Sequence, residues 1–331
     1  MNESLLEIKD LRVSFLDRRE QVEVVRGLDL SVHEGEIVSI VGESGSGKSV
    51  TMKAVMGLLP RNGRIDSGTV RWHRADGTAI DLRTAPEREM RTVRGGEIAT
   101  VFQDPMTAMN PLKPVGEHLA EVITRHMGLP HREAFEQGIR YLERVGIPSP
   151  ARRARQYPHE FSGGMRQRAM IAMALSCGPR LLIADEPTTA LDVTVQAQIL
   201  DILRELKEKE NLSVVLITHD LGIVASLSHR VLVMYAGLVM EESPVDALFE
   251  SPRHPYTRAL LQSVPTFEDG GGKRLFSIKG IAPSFRDPIR GCPFAPRCAW
   301  AMDTCCSELP GLRDPGDGRR VRCHLDFKEG A

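Results

Sequence analysis

The sequence lacks a membrane-spanning segment, a secretory signal and any large excess of one charge. None of its apolar runs approaches the roughly 18 residues that a transmembrane helix needs. The segment from Met1 to Glu7 has no basic region followed by an apolar core, so we expect no signal peptide and a chain that stays in the cytoplasm. The net charge of −1 gives no general attraction to nucleic acid or to anionic lipid.

Cysteine is also scarce, but it is unevenly placed. Six cysteines occur in 331 residues, and five of them lie between Cys292 and Cys323. Structural disulfides are rare in the cytoplasm, so a metal site explains this cluster better than disulfides do. The spacing lacks the tight pair that is typical of structural zinc, while four thiolates also suit an iron–sulfur cluster. Zinc, iron–sulfur and unliganded thiols all stay open on the spacing alone.

The order of strand and helix patterns predicts an α/β fold. Residues 5–41 alternate apolar and polar side chains, which is typical of short strands, and residues 64–101 add further strand-like segments. Residues 115–175 have helical composition and spacing. After Leu181, buried strands alternate with helices, which favours a parallel sheet.

The composition and the apolar periodicity of the chain change near residue 251. Proline and glycine become frequent there, including the run Gly270–Gly272, and the periodicity fades. We therefore predict a main domain over residues 1–250, with a helical subdomain at about 105–175, and a small appended domain over residues 251–331.

The segment Gly42–Ser49 carries the strongest motif in the chain. It fits G-x-x-x-x-G-K-[ST], follows a short apolar strand and precedes a helix, which is the context of a phosphate-binding loop rather than of an ordinary glycine-rich turn. Its glycines let the backbone amides surround a polyphosphate, Lys48 supplies a charge near the β- and γ-phosphates, and the Ser49 hydroxyl suits Mg²⁺. The predicted nucleotide contacts are Gly42, Ser44, Gly45, Ser46, Gly47, Lys48, Ser49 and Val50.

A second chemical motif follows the apolar strand that ends at Ala184. Asp185 at the strand end is placed to hold the Mg²⁺ shell, and Glu186 is placed to polarise a water for attack on the γ-phosphate. Without the phosphate loop, the pattern would indicate only a strand that ends in two acids. Together with the loop it predicts a nucleotide-hydrolysing site.

A third segment, Phe161–Arg168, begins a predicted helix. Ser162, Gly163 and Gly164 offer hydroxyl and amide donors suited to an anion, although a capped helix without a ligand would have the same pattern. Here the sequence resembles the ATP-binding cassette (ABC) family, whose signature is usually Leu-Ser-Gly-Gly-Gln. In that family the segment meets the γ-phosphate of ATP bound to the opposite subunit. Met165 stands where the family usually has glutamine.

The resemblance covers about residues 5–250 and implies further roles. Phe15 matches the aromatic residue that stacks on adenine, and Gln103 matches the glutamine that senses Mg²⁺ and couples to the membrane partner. Asp192, after Ala190 and Leu191, matches the loop that crosses the dimer interface, and His219 matches the histidine that contacts the γ-phosphate. The implied fold is a RecA-like P-loop core with an antiparallel β subdomain and a helical signature subdomain.

The C-terminal segment resembles the extension of oligopeptide and dipeptide importer ATPases. The residues that carry this resemblance are Gly291–Cys298, Arg322–Leu325 and His254–Leu261. In some members the extension holds a [4Fe-4S] cluster, which implies four ligands here, with Cys306 outside the family's four. The implied ligands are Cys292, Cys298, Cys305 and Cys323.

The resemblance implies the ATP- and Mg²⁺-dependent subunit of a peptide importer, peripheral on the cytoplasmic face of the cell membrane. The implied partners are a second, different ATPase subunit, two integral membrane permease subunits and an extracytoplasmic peptide-binding protein. An importer of nickel or another small solute stays an alternative, because the ATPase does not touch the substrate. A soluble ATPase acting on DNA or ribosomes is disfavoured, since the stretch between Gln103 and Phe161 is too short for a long coiled coil and the charge is near neutral.

Overall fold

The computed structural model describes residues 4–104, 109–189, 191–263 and 277–325. They form two compact units. The signature unit comprises His33–Glu36 and the described residues of Ala85–Ile217; the phosphate-loop unit comprises Ser4–Val32, Ile37–Thr84 and the described residues of Thr218–Ala331. This division differs from the predicted domain boundary near residue 250, which stays a prediction. Ala190 and Gly270–Gly272 lie outside the described residues.

The strands alternate with helices along the chain, as predicted. The strands are β1 (Ser4–Asp17), β2 (Glu20–His33), β3 (Ile37–Val41), β4 (Gly63–His73), β5 (Ala79–Asp81), β6 (Ile98–Val101), β7 (Leu181–Asp185), β8 (Ser213–Ile217), β9 (Arg230–Tyr235), β10 (Leu238–Pro244) and β11 (Arg320–Val321). The helices are α1 (Lys48–Val55), α2 (Glu87–Val93), α3 (Val115–Met127), α4 (His131–Arg144), α5 (Pro150–Arg153), α6 (Gly163–Leu175), α7 (Val193–Glu210), α8 (Leu221–Leu227), α9 (Val245–Glu250), α10 (Pro255–Gln262) and α11 (Asp303–Ser307).

The phosphate-loop unit contains an antiparallel sheet of order β2-β1-β4-β5. This sheet confirms the β-rich opening that the alternating pattern predicts. In the same unit β3 pairs in parallel with β9, and β9 pairs antiparallel with β10, which pairs with β11. All five residues of β3 are buried, as expected of a parallel strand that is covered on both faces. The phosphate loop leaves the end of this strand and enters α1.

One hydrophobic core of the phosphate-loop unit includes residues from the C-terminal region. Tyr235 at the end of β9, Tyr256 of α10 and Phe294 are all buried and pack together. The ring centroids of Tyr235 and Tyr256 are 4.6 Å apart, and those of Tyr235 and Phe294 are 5.6 Å apart. The C-terminal region therefore shares its core with the strands beside the phosphate loop.

The signature unit contains the parallel run β8-β7-β6 and most of the helices. Strands β7 and β8 are fully buried. Helices α3, α4 and α6 contact one another. They lie inside the range predicted to be helical. No helix among the described residues is both long enough and apolar enough to span a bilayer.

Helix α2 differs from the sequence prediction. It lies in the region that we expected to contain strand-like segments; Pro86 precedes it, and Glu87 in its first turn pairs with Arg91 and Arg94, which favours a helix locally.

Candidate functional site

The phosphate loop has a backbone that only glycine allows at two positions. Gly42 has φ +146°, and a Cβ there would lie 2.1 Å from the carbonyl oxygen of Met234. Gly47, just before α1, has φ +104°. No side chain of the described residues caps the start of α1. The first amides of the helix therefore keep the polarity that suits an anion.

Lys48 folds back over its own loop. Its side chain is buried, and Nζ donates to the carbonyl oxygens of Gly42 (2.7 Å) and Glu43 (2.9 Å) and to Ser46 Oγ (3.3 Å). At the crest, a Cβ on Gly45 would meet no atom of the described residues within 4 Å. The Lys48 ammonium group thus lies at the centre of the loop, and the loop is open at Gly45. This arrangement fits a polyphosphate.

The other predicted loop residues are distributed along the same turn. Ser44 and Gly45 are exposed, while Ser46 and Lys48 are buried. Ser49 and Val50 lie half-buried in the first turn of α1. All belong to the phosphate-loop unit.

Phe15 and His219 lie in the same unit. Phe15 is half-buried on β1, opposite Gly63 of β4, and a Cβ on Gly63 would lie 2.8 Å from Phe15 Cε1. His219 is exposed in the turn before α8. The N–H of the preceding Thr218 donates to the carbonyl oxygen of Ile40 at 3.4 Å, so this turn is attached to the strand that leads into the phosphate loop.

The two predicted carboxylates lie in the signature unit. Asp185 is buried at the end of β7. Glu186 follows with φ +49°, a strained conformation for a residue with a side chain and one that often occurs at functional sites. Its Oε2 accepts hydrogen bonds from Gln103 Nε2 (2.8 Å) and Thr189 Oγ1 (2.9 Å). The structure thus brings Gln103 to Glu186. Thr189 was not predicted, although it lies only one turn further along the chain.

The signature segment starts α6 in the same unit. Ser162 is exposed, and its Oγ accepts a hydrogen bond from the N–H of Met165 at 3.3 Å, which confirms an N-capped helix. A Cβ on Gly164 would lie 2.6 Å from Val195 Cγ1, and Asp192 Oδ1 accepts from the N–H of Val195 at 2.9 Å. The signature segment and the start of α7 therefore lie side by side, with Ser162 at the surface.

The four predicted cysteines line one small pocket of the phosphate-loop unit. Cys305 and Cys323 are buried, Cys292 and Cys298 are half-buried, and Cys306 is exposed and does not line the pocket. The N–H of Cys292 donates to the carbonyl oxygen of Cys305 at 2.7 Å. The structure thus places these four side chains around one pocket and leaves out the fifth, while their role as cluster ligands stays a prediction.

The pocket disfavours charged sulfur when no cation is bound. Burial, together with the neighbouring Cys323 and Cys305, raises the pKa of Cys292 to about 11. Burial also raises the pKa of Cys298 and of Cys323. Within the described ranges, no group of three or more His, Cys, Asp or Glu side chains is arranged to hold a metal ion.

Comparisons with known proteins agree with this organisation. A family model described as ABC transporter matches residues 25–189, and one described as oligopeptide/dipeptide transporter, C-terminal region, matches residues 240–305. The chain is 47% identical over 326 residues to the dipeptide transport ATP-binding protein DppD of Escherichia coli, covering 98% of both chains. It is 48% identical over 325 residues to the oligopeptide transport ATP-binding protein OppD of Salmonella typhimurium, covering 98% of this chain and 95% of that one.

A solved structure supports the fold in the same way. It is a dimeric ATP-binding cassette in a post-hydrolysis state, bound to ADP and phosphate. The match has a TM-score of 0.64 at 27% identity and covers 73% of this chain and 99% of that chain.

Proposed function

This chain belongs to the ABC transporter ATPases that carry the oligopeptide/dipeptide transporter C-terminal region, and we propose that it is the ATP-hydrolysing subunit of an importer of oligopeptides or dipeptides. The observation that carries the proposal is the extent of the relationship. The identity to a dipeptide transport ATP-binding protein runs over 98% of both chains, so it includes the C-terminal region as well as the cassette.

The phosphate-loop unit binds the nucleotide. The amides of Gly42–Ser49 and Val50 surround the phosphates, and Lys48 neutralises charge on the β- and γ-phosphates. Phe15 stacks on adenine, and His219 contacts the γ-phosphate. The glycine conformations at Gly42 and Gly47 and the inward position of Lys48 Nζ support this assignment.

Hydrolysis requires residues beyond those that bind the phosphates. Ser49, Gln103 and Asp185 present the hydroxyl, amide and carboxylate oxygens that Mg²⁺ prefers, and they would hold it. The bound ion would neutralise charge on the phosphate oxygens. Glu186 orients a water and accepts its proton as the water attacks the γ-phosphate. The hydrogen bonds from Gln103 and Thr189 fix its carboxylate for this task.

The signature segment acts on the nucleotide of a second subunit. Ser162, Gly163 and Gly164 donate to the γ-phosphate of ATP held by the partner's phosphate loop, and Asp192 lies at the interface between the two. The exposure of Ser162 and its place beside the start of α7 support this role. The partner is a different ATPase subunit, since importers of this type commonly pair two ATPases.

The closing and opening of this pair drives two integral membrane permease subunits. The ATPase then lies as a peripheral protein on the cytoplasmic face of the inner membrane. An extracytoplasmic peptide-binding protein delivers peptides to the complex. No nucleic-acid partner is proposed, in keeping with the net charge of −1.

The cysteine pocket presents the four thiols that an iron–sulfur cluster needs, and we propose that it holds one. Cys292, Cys298, Cys305 and Cys323 would hold the cluster as thiolates. The N–H of Trp300, which donates to Cys298 Sγ at 3.4 Å, would stabilise that sulfur. The role is structural.

Metal analysis tests the cluster separately. Protein purified without oxygen should be brown and contain about four irons per chain. Cys305→Ser should lose the iron, whereas Cys306→Ser, a change of the adjacent exposed residue, should keep it. Zinc without iron, or equal iron in both variants, would refute the assignment.

Co-purification of the complex tests the function. The full-length chain, tagged and isolated in mild detergent, should retain a second ATPase and two membrane subunits, and the reconstituted complex should import short peptides when ATP is supplied. Import of nickel or another solute in place of peptides would overturn the substrate class. Salt-sensitive nucleic-acid binding without membrane subunits would overturn the transport function.

A further inference from the structure

The C-terminal region contacts the phosphate loop directly at Glu43. Arg297, at the end of the short turn Ala295–Arg297, donates from Nη1 to Glu43 Oε2 and from Nη2 to Glu43 Oε1, both at 2.8 Å. The side chain of Arg297 is 5% exposed, and that of Glu43 is 26% exposed. A two-pronged guanidinium–carboxylate pair fixes the direction of the carboxylate as well as its distance.

Arg297 is itself held firmly in place. Its Nη1 also donates to Tyr235 Oη at 3.0 Å, and its Nε and Nη2 donate to the carbonyl oxygens of Lys279 (2.9 Å) and Ile278 (3.2 Å). An exposed ion pair contributes little because both side chains lose freedom to form it. Here the guanidinium is already immobilised by these other partners, so the pair acts as a fixed support for Glu43.

Tyr256 holds the backbone of the same loop residue. The N–H of Glu43 donates to Tyr256 Oη at 2.8 Å. Tyr256 is fully buried, with its ring centroid 4.6 Å from that of Tyr235 and 5.3 Å from that of Phe294. Its hydroxyl is therefore presented to Glu43 from a packed core.

Glu43 transmits both contacts into the loop. Its carbonyl oxygen accepts hydrogen bonds from Lys48 Nζ at 2.9 Å and from the N–H of Ser46 at 3.2 Å. All three polar groups of Glu43 therefore have partners. The side chain and the N–H bond to Arg297 and Tyr256 of the C-terminal region, and the C=O accepts from Lys48.

We propose that Arg297 and Tyr256 are positioning residues for nucleotide binding, which hold Glu43 and with it the phosphate loop in the conformation that receives ATP. Neither residue touches the nucleotide. The C-terminal region is thereby a support of the nucleotide site in addition to any role in holding a cluster. The inference rests on the proposed nucleotide site.

Steady-state kinetics of the assembled importer test the inference. For Arg297→Gln and for Tyr256→Phe, which removes only the hydroxyl, the KM for ATP should rise about tenfold, equivalent to about 1.4 kcal/mol. The kcat should stay within about twofold, because the residues that act on the γ-phosphate are intact. Arg297→Lys, which keeps the charge but not the two-pronged geometry, should lie between wild type and Arg297→Gln.

A matched arginine of the same region provides the control. Arg319 pairs with Asp317 and donates to Ser251, which both lie outside the phosphate loop, so Arg319→Gln should leave the KM for ATP within about twofold of wild type. A double variant, Glu43→Gln with Arg297→Gln, should raise KM no further than the more affected single variant, because both changes remove the same support.

The outcomes separate this inference from the proposed function. A lower melting temperature with an unchanged KM in Tyr256→Phe and Arg297→Gln would overturn the positioning role and leave both residues as parts of the core. If Arg297→Gln does not fold, Tyr256→Phe alone decides between the two results. A wild-type complex that neither binds nor hydrolyses ATP would overturn the proposed function itself.

Discussion

Two helices of this chain begin with glycine-rich segments, α1 after the phosphate loop and α6 at the signature. The first segment is closed on itself: Lys48 is buried and donates to loop carbonyls, and Glu43 is held from the C-terminal region. The second presents its polar groups outward, with Ser162 and Gly163 exposed. Two glycine-rich segments thus differ in structure: the phosphate loop makes its polar contacts within its own unit, whereas the signature segment presents its donors to solvent.

This difference supports the assignment of unequal tasks. The phosphate loop contains the cationic Lys48 and is held through Glu43, which suits a loop that binds ATP within its own subunit. The signature segment carries no lysine, and its Gly164 lies against Val195 of α7. Such an exposed set of donors suits the nucleotide of a second subunit. Substitutions at the first segment should therefore remove activity, while those at the second should act mainly in the assembled pair.

Lys48→Ala should have the largest effect. Removal of the cation that faces the phosphates should lower ATP hydrolysis by the assembled complex at least about a hundredfold. Lys53→Ala, a change of an exposed lysine on the same helix, serves as the control and should hydrolyse ATP at the wild-type rate. Hydrolysis by Lys48→Ala within a few-fold of wild type would remove the distinction between the two segments.

Gly164→Ala should have an intermediate effect that is specific to the signature. The new Cβ would lie 2.6 Å from Val195 Cγ1, a stiff β-branched side chain, and the resulting overpacking should cost about 1–3 kcal/mol in the free energy of unfolding. Hydrolysis by the complex should fall as the signature shifts, while ATP binding to this chain's own loop should not change.

Two further variants check this interpretation of Gly164. Gly163→Ala should be milder, because among the described residues its Cβ would meet only Leu191 Cδ2, at 4.0 Å. Gly164→Ala with Val195→Ala should recover part of the lost stability, because the second change removes the clashing methyl groups. Equal losses in Gly163→Ala and Gly164→Ala, measured by chemical denaturation, would argue against the packing explanation.

Ser162→Ala should have the smallest effect on stability. It removes the cap of α6, and the free energy of unfolding should fall by about 1 kcal/mol. Ser162→Asp should keep the cap, because aspartate is an equally good capping residue, yet its charge should repel the partner's γ-phosphate and reduce hydrolysis by the pair. If Ser162→Asp retained full hydrolysis, the signature would not face a phosphate.

The motifs that consist of consecutive residues could be predicted from the sequence. The phosphate loop, the carboxylate pair and the signature each occupy consecutive residues whose spacing reports a strand end or a helix start, and the structure has β3, β7 and α6 at those places. The parallel pairing was predicted from the alternation of strand and helix patterns, whereas the antiparallel β subdomain was implied only by the resemblance. Residue identity and local order are sufficient for such features.

The contacts that join distant segments could not be predicted in this way. Glu43 and Arg297 form an ion pair although 254 positions separate them in the sequence, and neither lies in a pattern that would identify the other. Thr189 was missed for a different reason, since threonines near a carboxylate are common and only the geometry shows its hydrogen bond to Glu186. Helix α2 was missed because its seven residues are too few to show a clear apolar period.

Peptide uptake by the complete importer, reconstituted in vesicles with Glu186→Gln in this chain, tests the central claim most directly. Glu186 should be needed for the attack on the γ-phosphate but not for ATP binding, so the variant should bind ATP with unchanged affinity while hydrolysis and peptide uptake fall together by about a hundredfold or more. Wild-type peptide uptake or ordinary ATP turnover in this variant would contradict the account of this chain as the hydrolytic subunit that drives import.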